Sequence, residues 1–240
     1  MSLVIGDFDV ATIQATIFTP GLSFSHARVL AFILSDWGDV FNGEPVSLPS
    51  PGEEIPIQIP RIIIPSADNK YKIEAAPARL NIFWLRSKKE DGVSVNEFYN
   101  MVPGIFKGYR SLTGAQVGRI AAVLARLINS DNPANIISNK FCRTELKESI
   151  FKKAESFELH CHKKYKLCNK YNVNSWVRCK TGFFGPRENN QKALIVEQDI
   201  NTLNEELNKL NFTDSEITTF YNIIIDEMNS IFSKYFPSEN

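Results

Sequence analysis

The sequence predicts an α+β fold, with antiparallel sheets packed against amphipathic helices, and three observations carry the prediction. Ser156 to Cys168 alternates apolar and polar residues as a strand with one wet face does. Ile217, Phe220, Ile224, Met228, Ile231 and Tyr235 recur at helical spacing behind the capping box Thr213–Glu216. Apolar residues make up 43% and charged residues 22% of 240, enough to build a full-sized core without covalent staples.

In chain order, the first strand is expected over Asp9 to Phe18, where β-branched residues alternate with polar ones. Gly21 to Ser25 supplies turn and N-cap residues. His26 to Phe41 then places Val29, Leu30, Ile33, Trp37, Val40 and Phe41 on one helical face. Seven of the twelve prolines lie between Gly43 and Pro77; proline cannot donate to a ladder, so that stretch is read as edge strand and loop. Lys70 to Ala75 and Ala78 to Arg86 are strands, the second apolar on both faces as a central strand is. Asp91 and Gly92 close it. Ser94 and Glu97 form a second capping box, and the stripe Phe98, Met101 or Val102, Ile105 and Tyr109 continues a helix that Pro103-Gly104 is expected to bend or interrupt.

Val117 to Asn129 suits a helix by the spacing of Val117, Ile120, Leu124 and Ile128, and suits a buried strand by its short apolar run. Periodicity leaves both open. NSDNP at 129–133 is a turn under either reading. After the strand at 156–168 come strand candidates at Val173 to Cys179 and Ala193 to Val196. Between them lies a polar Gly/Pro/Asn loop, Gly182 to Gln191, expected to be exposed and mobile. The order strand, helix, strands, helix then occurs twice. It divides the chain into an N-terminal α+β half, 1–115, and a C-terminal half, 116–240, that ends in the long helix; one continuous domain is the alternative.

PSADNKYKIEAAPARLNIFWLR, VGRIAAVLARLIN, and ALIVEQDIN before FTDSEITTFYNIIIDEMNSIFSKYF together resemble a sporadically distributed bacterial family of about this length with unassigned function. The resemblance covers most of the chain. It implies that Val117 to Asn129 is a strand, and it implies no catalytic residue.

No apolar run approaches the roughly 20 residues that span a bilayer, and MSLVIGDFDV lacks the basic and apolar regions of a signal peptide. A soluble, cytoplasmic protein with no membrane partner is expected. In that compartment Cys142, Cys161, Cys168 and Cys179 read as free buried thiols rather than disulfides.

Net charge is zero but unevenly spread. Asn139 to Lys180 carries 11 basic residues against 4 acids, and Thr181 to Asn240 carries 4 against 10, so a +7 segment precedes a −6 segment. The acidic helix either covers the basic region or leaves it exposed to a polyanion. His160, His162, Lys163, Lys164, Lys166, Trp176, Arg178 and Lys180, with Tyr165 and Tyr171 interleaved, combine cations that track phosphates with rings that stack on bases. They are the candidate nucleic-acid-binding residues.

Catalytic, cofactor and metal sites are not expected. His160, Cys161, His162, Cys168 and Cys179 are ligand types zinc accepts, but Cys161 should face away from the two histidines, and no C-x2-C or H-x3-H pair presets a tetrahedron. G-x-S-x-G, Walker A, G-x-G-x-x-G and H-E-x-x-H motifs are all missing from the sequence. The leading expectation is therefore a binding or assembly protein that acts through protein contacts, with self-association as a homodimer included. Nucleic-acid binding through 160–180 is the alternative, and an unfamiliar enzyme the third reading.

Overall fold

The computed structural model describes residues 3–21, 24–48, 56–88, 90–185 and 190–237. In β1 (Asp9–Phe18) the alternation of the sequence becomes two faces, with Ile13, Ala15 and Ile17 wholly buried on one side and Thr12, Gln14 and Phe18 half-buried on the other. β1 is joined by β2 (Val46–Ser47), β3 (Ile62–Pro65), β4 (Tyr71–Ala76), β5 (Arg79–Leu85), β6 (Arg119–Asn129), β7 (Glu158–Leu167), β8 (Tyr171–Phe184) and β9 (Gln191–Thr202). They form one antiparallel sheet in the order β2-β3-β4-β5-β1-β6-β9-β8-β7. Because β1 and β6 pair directly, residues 1–115 and 116–240 share that sheet.

The helices are α1 (His26–Trp37), α2 (Val95–Thr113), α3 (Pro133–Phe141), the short α4 (Thr144–Glu148) and α5 (Asp214–Tyr235). α1, α2 and most of α5 bury Val29, Phe32, Ile33, Phe98, Val102, Phe220, Ile224 and Met228 against the Ile13 face of the sheet. A second cluster on that face joins Ile137 of α3 and Phe232 of α5 to Val177, Cys179, Leu194 and Val196. Each fully buried large apolar side chain contributes about 1.5–3 kcal/mol, so this single covered face supplies the stability of the fold.

α2 runs unbroken through Pro103, where the sequence suggests a bend. Proline forfeits one backbone hydrogen bond, but burial of Phe98, Tyr99 and Val102 before it and Ile105, Phe106 and Tyr109 after it holds the axis. Gly108 lets α1 approach, since a Cβ there would lie 2.5 Å from the Phe32 ring. The helix ends at Gly114, whose left-handed φ of 67° returns its N–H to the Arg110 carbonyl. α1 starts at the expected Ser25, although the Ser25 side chain makes no capping hydrogen bond.

The ambiguous segment is strand β6. β8 and β9 extend beyond their expected lengths, to Phe184 and from Gln191, so the loop between them contracts; residues 186–189 of that expected loop lie outside the described residues. Part of the proline-rich stretch, 49–55, does so too. The cysteines depart from expectation: only Cys179 is buried, Cys142 is half-buried, and Cys161 and Cys168 are exposed. The reason is position, since Cys161 sits on the outermost strand and Cys168 in the turn that leaves it.

A half-turn symmetry organises the sheet. In the β1–β6 register Ala15 faces Ala122, with Gln14–Val123 on one side and Thr16–Ala121 on the other. Tyr99 of α2 points its hydroxyl at the carbonyls of Gln14 and Val123, 3.4 and 3.3 Å away. Tyr221 of α5 points its own at the carbonyls of Thr16 and Ala121, 3.1 and 2.9 Å away, and accepts the Thr16 N–H at 3.2 Å. The two rings stack 5.6 Å apart. Both tyrosines belong to a Phe-Tyr-Asn tripeptide, at 98–100 and 220–222. A half-turn about the Ala15–Ala122 pair therefore exchanges α2 with α5, β1 with β6, β5 with β9, β4 with β8 and β3 with β7.

Candidate binding edge at β7 and β8

The face of the sheet away from α1, α2, α3 and α5 is polar and largely satisfied by its own side chains. Thr16 donates to Asn81 and Asn81 to Glu74, which pairs with Lys72. Across the centre, Arg119 bonds Asn201, and Asn201 bonds Asp199.

Most of the sequence-predicted residues fall on this face. Register places His160 opposite Arg178, His162 opposite Trp176, Lys164 opposite Asn174, and Glu158 opposite Lys180. Alternation adds Lys166, so His160, His162, Lys164, Lys166, Trp176, Arg178 and Lys180 are brought together. Lys163 is not; it lies on the other face with Cys161 and Tyr165, its ammonium 5.2 Å from the Tyr165 ring centroid. Cys161 is thus on the opposite face from His160 and His162.

The charges of this patch are mostly answered. Arg178 pairs with Glu197 at 2.6 Å and Asp199 at 3.8 Å, Lys180 with Glu197 at 3.5 Å, and Lys164 with Glu205 at 2.8 Å. Lys170 reaches Glu216 at 3.5 Å. All these acids come from the −6 segment, so the two oppositely charged stretches partly neutralise each other. Such half-exposed pairs add little stability, but they reduce the field a polyanion would feel. His162 stacks on Trp176 at 4.1 Å and 11°, and the Arg178 guanidinium lies 5.0 Å from the same ring. A base approaching that ring must displace one of them.

Sequence reasoning passed over the remaining cations of the basic segment. Lys147, Lys152 and Lys153 line a cavity of about 530 Å³ beside α3 and α4, with Glu148, Asn135, Asn139 and Phe151. Among the described residues none of the three makes an ion pair. The signal was available in the sequence: residues 140–153 carry five basic residues, Lys140, Arg143, Lys147, Lys152 and Lys153, against two acids, Glu145 and Glu148.

The outer edge of β7 is the most open part of the site. β7 ends the sheet, and seven of its ten residues are exposed. Among the described residues, no backbone group of 158–166 bonds to anything except β8. On the covered face Tyr165 donates its hydroxyl to Glu227 at 2.6 Å, and burial followed by that carboxylate raises its pKa above the usual phenol range. Burial likewise pushes the Cys179 thiol up to about 12, leaving it protonated and unreactive.

A different buried charge lies between the two apolar clusters. Arg126 bonds the side chains of Gln198 and Asn229 and rests 4.4 Å over Phe232, with no carboxylate partner among the described residues, and burial lowers its pKa to about 10. Its partners are amides of this chain, which makes it a structural bridge. No family model matches the chain, and no curated protein is significantly similar to it.

Proposed function

We propose that this protein is a binding or assembly component that works through protein contacts. The observation that supports this reading most strongly is the open β7 edge, ten residues of strand with a row of backbone donors and acceptors unused on one side. Edges of this kind capture extended segments of other chains, with main-chain hydrogen bonds giving affinity and alternate side chains giving selectivity. Self-pairing through β7 is disfavoured in the registers that bring Lys163, Lys164 and Lys166 of two antiparallel copies together. The partner is therefore a different protein.

The reading is tested by native mass spectrometry of material purified from its own host. A co-purifying protein that protects β7 amides supports it; a bare monomer across preparations contradicts it.

Polyanion binding is a second reading, favoured by Lys147, Lys152 and Lys153, which line one cavity and make no ion pair among the described residues. If it holds, single-stranded DNA retained at low salt is lost in Lys152→Glu with Lys153→Glu and largely kept in Lys164→Glu with Lys166→Glu. Retention by the first pair of variants, or none by the wild type at low salt, removes it.

A further inference from the structure

The half-turn symmetry that relates β3 to β7 fails at one place. Outside β3 lies β2, paired antiparallel through Val46–Ile63 and Ser47–Ile62. Outside β7 lies nothing among the described residues, because where the first half inserts β2 between α1 and β3, the second half inserts α4 between α3 and β7. We propose that β7 is completed by a tenth strand, an acidic extended segment of a partner protein lying antiparallel in the position that corresponds to β2. This deepens the protein-binding reading and rests on it.

The symmetry also fixes where the strand would lie. Ile64 pairs with Ile73 as Lys163 pairs with Ser175, and Ile73 and Ser175 occupy equivalent places in β4 and β8. Ile62 and Ile63, the partners of β2, therefore correspond to Cys161 and His162. The incoming segment is centred opposite those two residues and has the length of β7 along which to extend.

Side-chain chemistry selects the occupant. On the polar face the segment lies beside Glu158, His160, His162, Lys164 and Lys166; Lys164 contacts Glu205 at 2.8 Å and His160 contacts Glu158 at 3.2 Å, while Lys166 makes no ion pair among the described residues. On the other face it lies beside Leu159, Cys161, Lys163 and Tyr165; Leu159, Cys161 and Tyr165 suit apolar or β-branched residues, and the Lys163 ammonium is turned to the Tyr165 ring. The matching sequence alternates Asp or Glu with Val, Ile or Thr. Lysines along an edge ordinarily repel strand pairing; here they repel a second copy and admit an acidic strand.

The test uses the full chain and a capped ten-residue peptide alternating Glu with Val and Thr, against a scrambled peptide of equal composition and an otherwise identical Lys peptide. The expected result is binding of the Glu peptide alone, weakening with salt, with new protection of alternate β7 amides and a tenfold or greater loss in Lys164→Glu with Lys166→Glu. Both side chains are more than a third exposed, and a thermal transition unchanged from wild type verifies that the variant folds. No protection of β7 at millimolar peptide, or equal binding of the scrambled or Lys peptide, overturns the proposal. A host-derived partner found on another surface would overturn it while leaving the protein-binding reading intact.

Discussion

The two halves of the sheet agree at the centre and disagree at the margin. At the centre each presents an alanine to the other, and each sends a tyrosine from its long helix to the shared backbone. At the margin the first half ends in a two-residue strand set in proline-rich chain, and the second ends in ten residues of bare strand. Stability is thus built from what the halves share, and the proposed recognition edge lies where they differ. Short, proline-bounded edges avoid unwanted pairing; the long β7 edge in the same molecule lacks that protection, which is the contrast the proposed binding role rests on.

The comparison breaks most visibly if the halves unfold apart. Phe98 and Phe220 hold equivalent, fully buried places, and truncating either to alanine is expected to cost about 3–5 kcal/mol. Because one sheet joins them, both variants should lower a single common transition in urea, read by fluorescence and circular dichroism together. Two separated transitions would mean the halves are independent units.

A smaller effect sharpens the central symmetry. Tyr221→Phe leaves the Thr16 N–H and two buried carbonyls without their hydroxyl and should cost about 1–3 kcal/mol. Tyr99→Phe gives up only longer contacts to two carbonyls and should cost about 1 kcal/mol. The reverse order in denaturant titration would show that the tyrosines are not matched as described. Helix starts rank next. The α5 capping box is reciprocal between Thr213 and Glu216, whereas Ser94 of α2 only accepts from the Glu97 N–H, so Thr213→Ala should cost about 1 kcal/mol and Ser94→Ala less.

The least effect concerns acid. The Ser87 hydroxyl, the Ser87 and Lys88 N–H groups and Lys70 hold the Asp91 carboxyl below its ordinary range. A carboxylate with a depressed folded pKa contributes stability above its unfolded value, about 4, and loses it as pH falls towards the folded value. Asp91→Asn should therefore lower stability at pH 7 and flatten its decline between neutral and acid pH. An unchanged acid limb in thermal melts would remove Asp91 from that role.

Much of this architecture was legible in the residues, and the illegible parts have physical causes. β7 and α5 showed because each has one wet face, so polarity follows the period of the backbone. β6 did not, because it lies mid-sheet: Ile120, Ala122 and Leu124 are under the helices, while Ala121 and Ala125 are buried on the other face too. Neither the β1–β6 pairing, across more than a hundred residues, nor the ion pairs that answer Lys164, Arg178 and Lys180 leave a local pattern. The repeated Phe-Tyr-Asn did leave one, and with the repeated element order it marks the symmetric helices.

The openness of the β7 edge is tested most directly by residue-resolved amide exchange on the free protein. We expect alternate amides within Glu158–Leu167 to exchange with little protection while those of β8 and β9 approach the stability of the whole fold. Uniform protection of β7 to the level of β8 would mean that something already covers the strand, and would contradict the account.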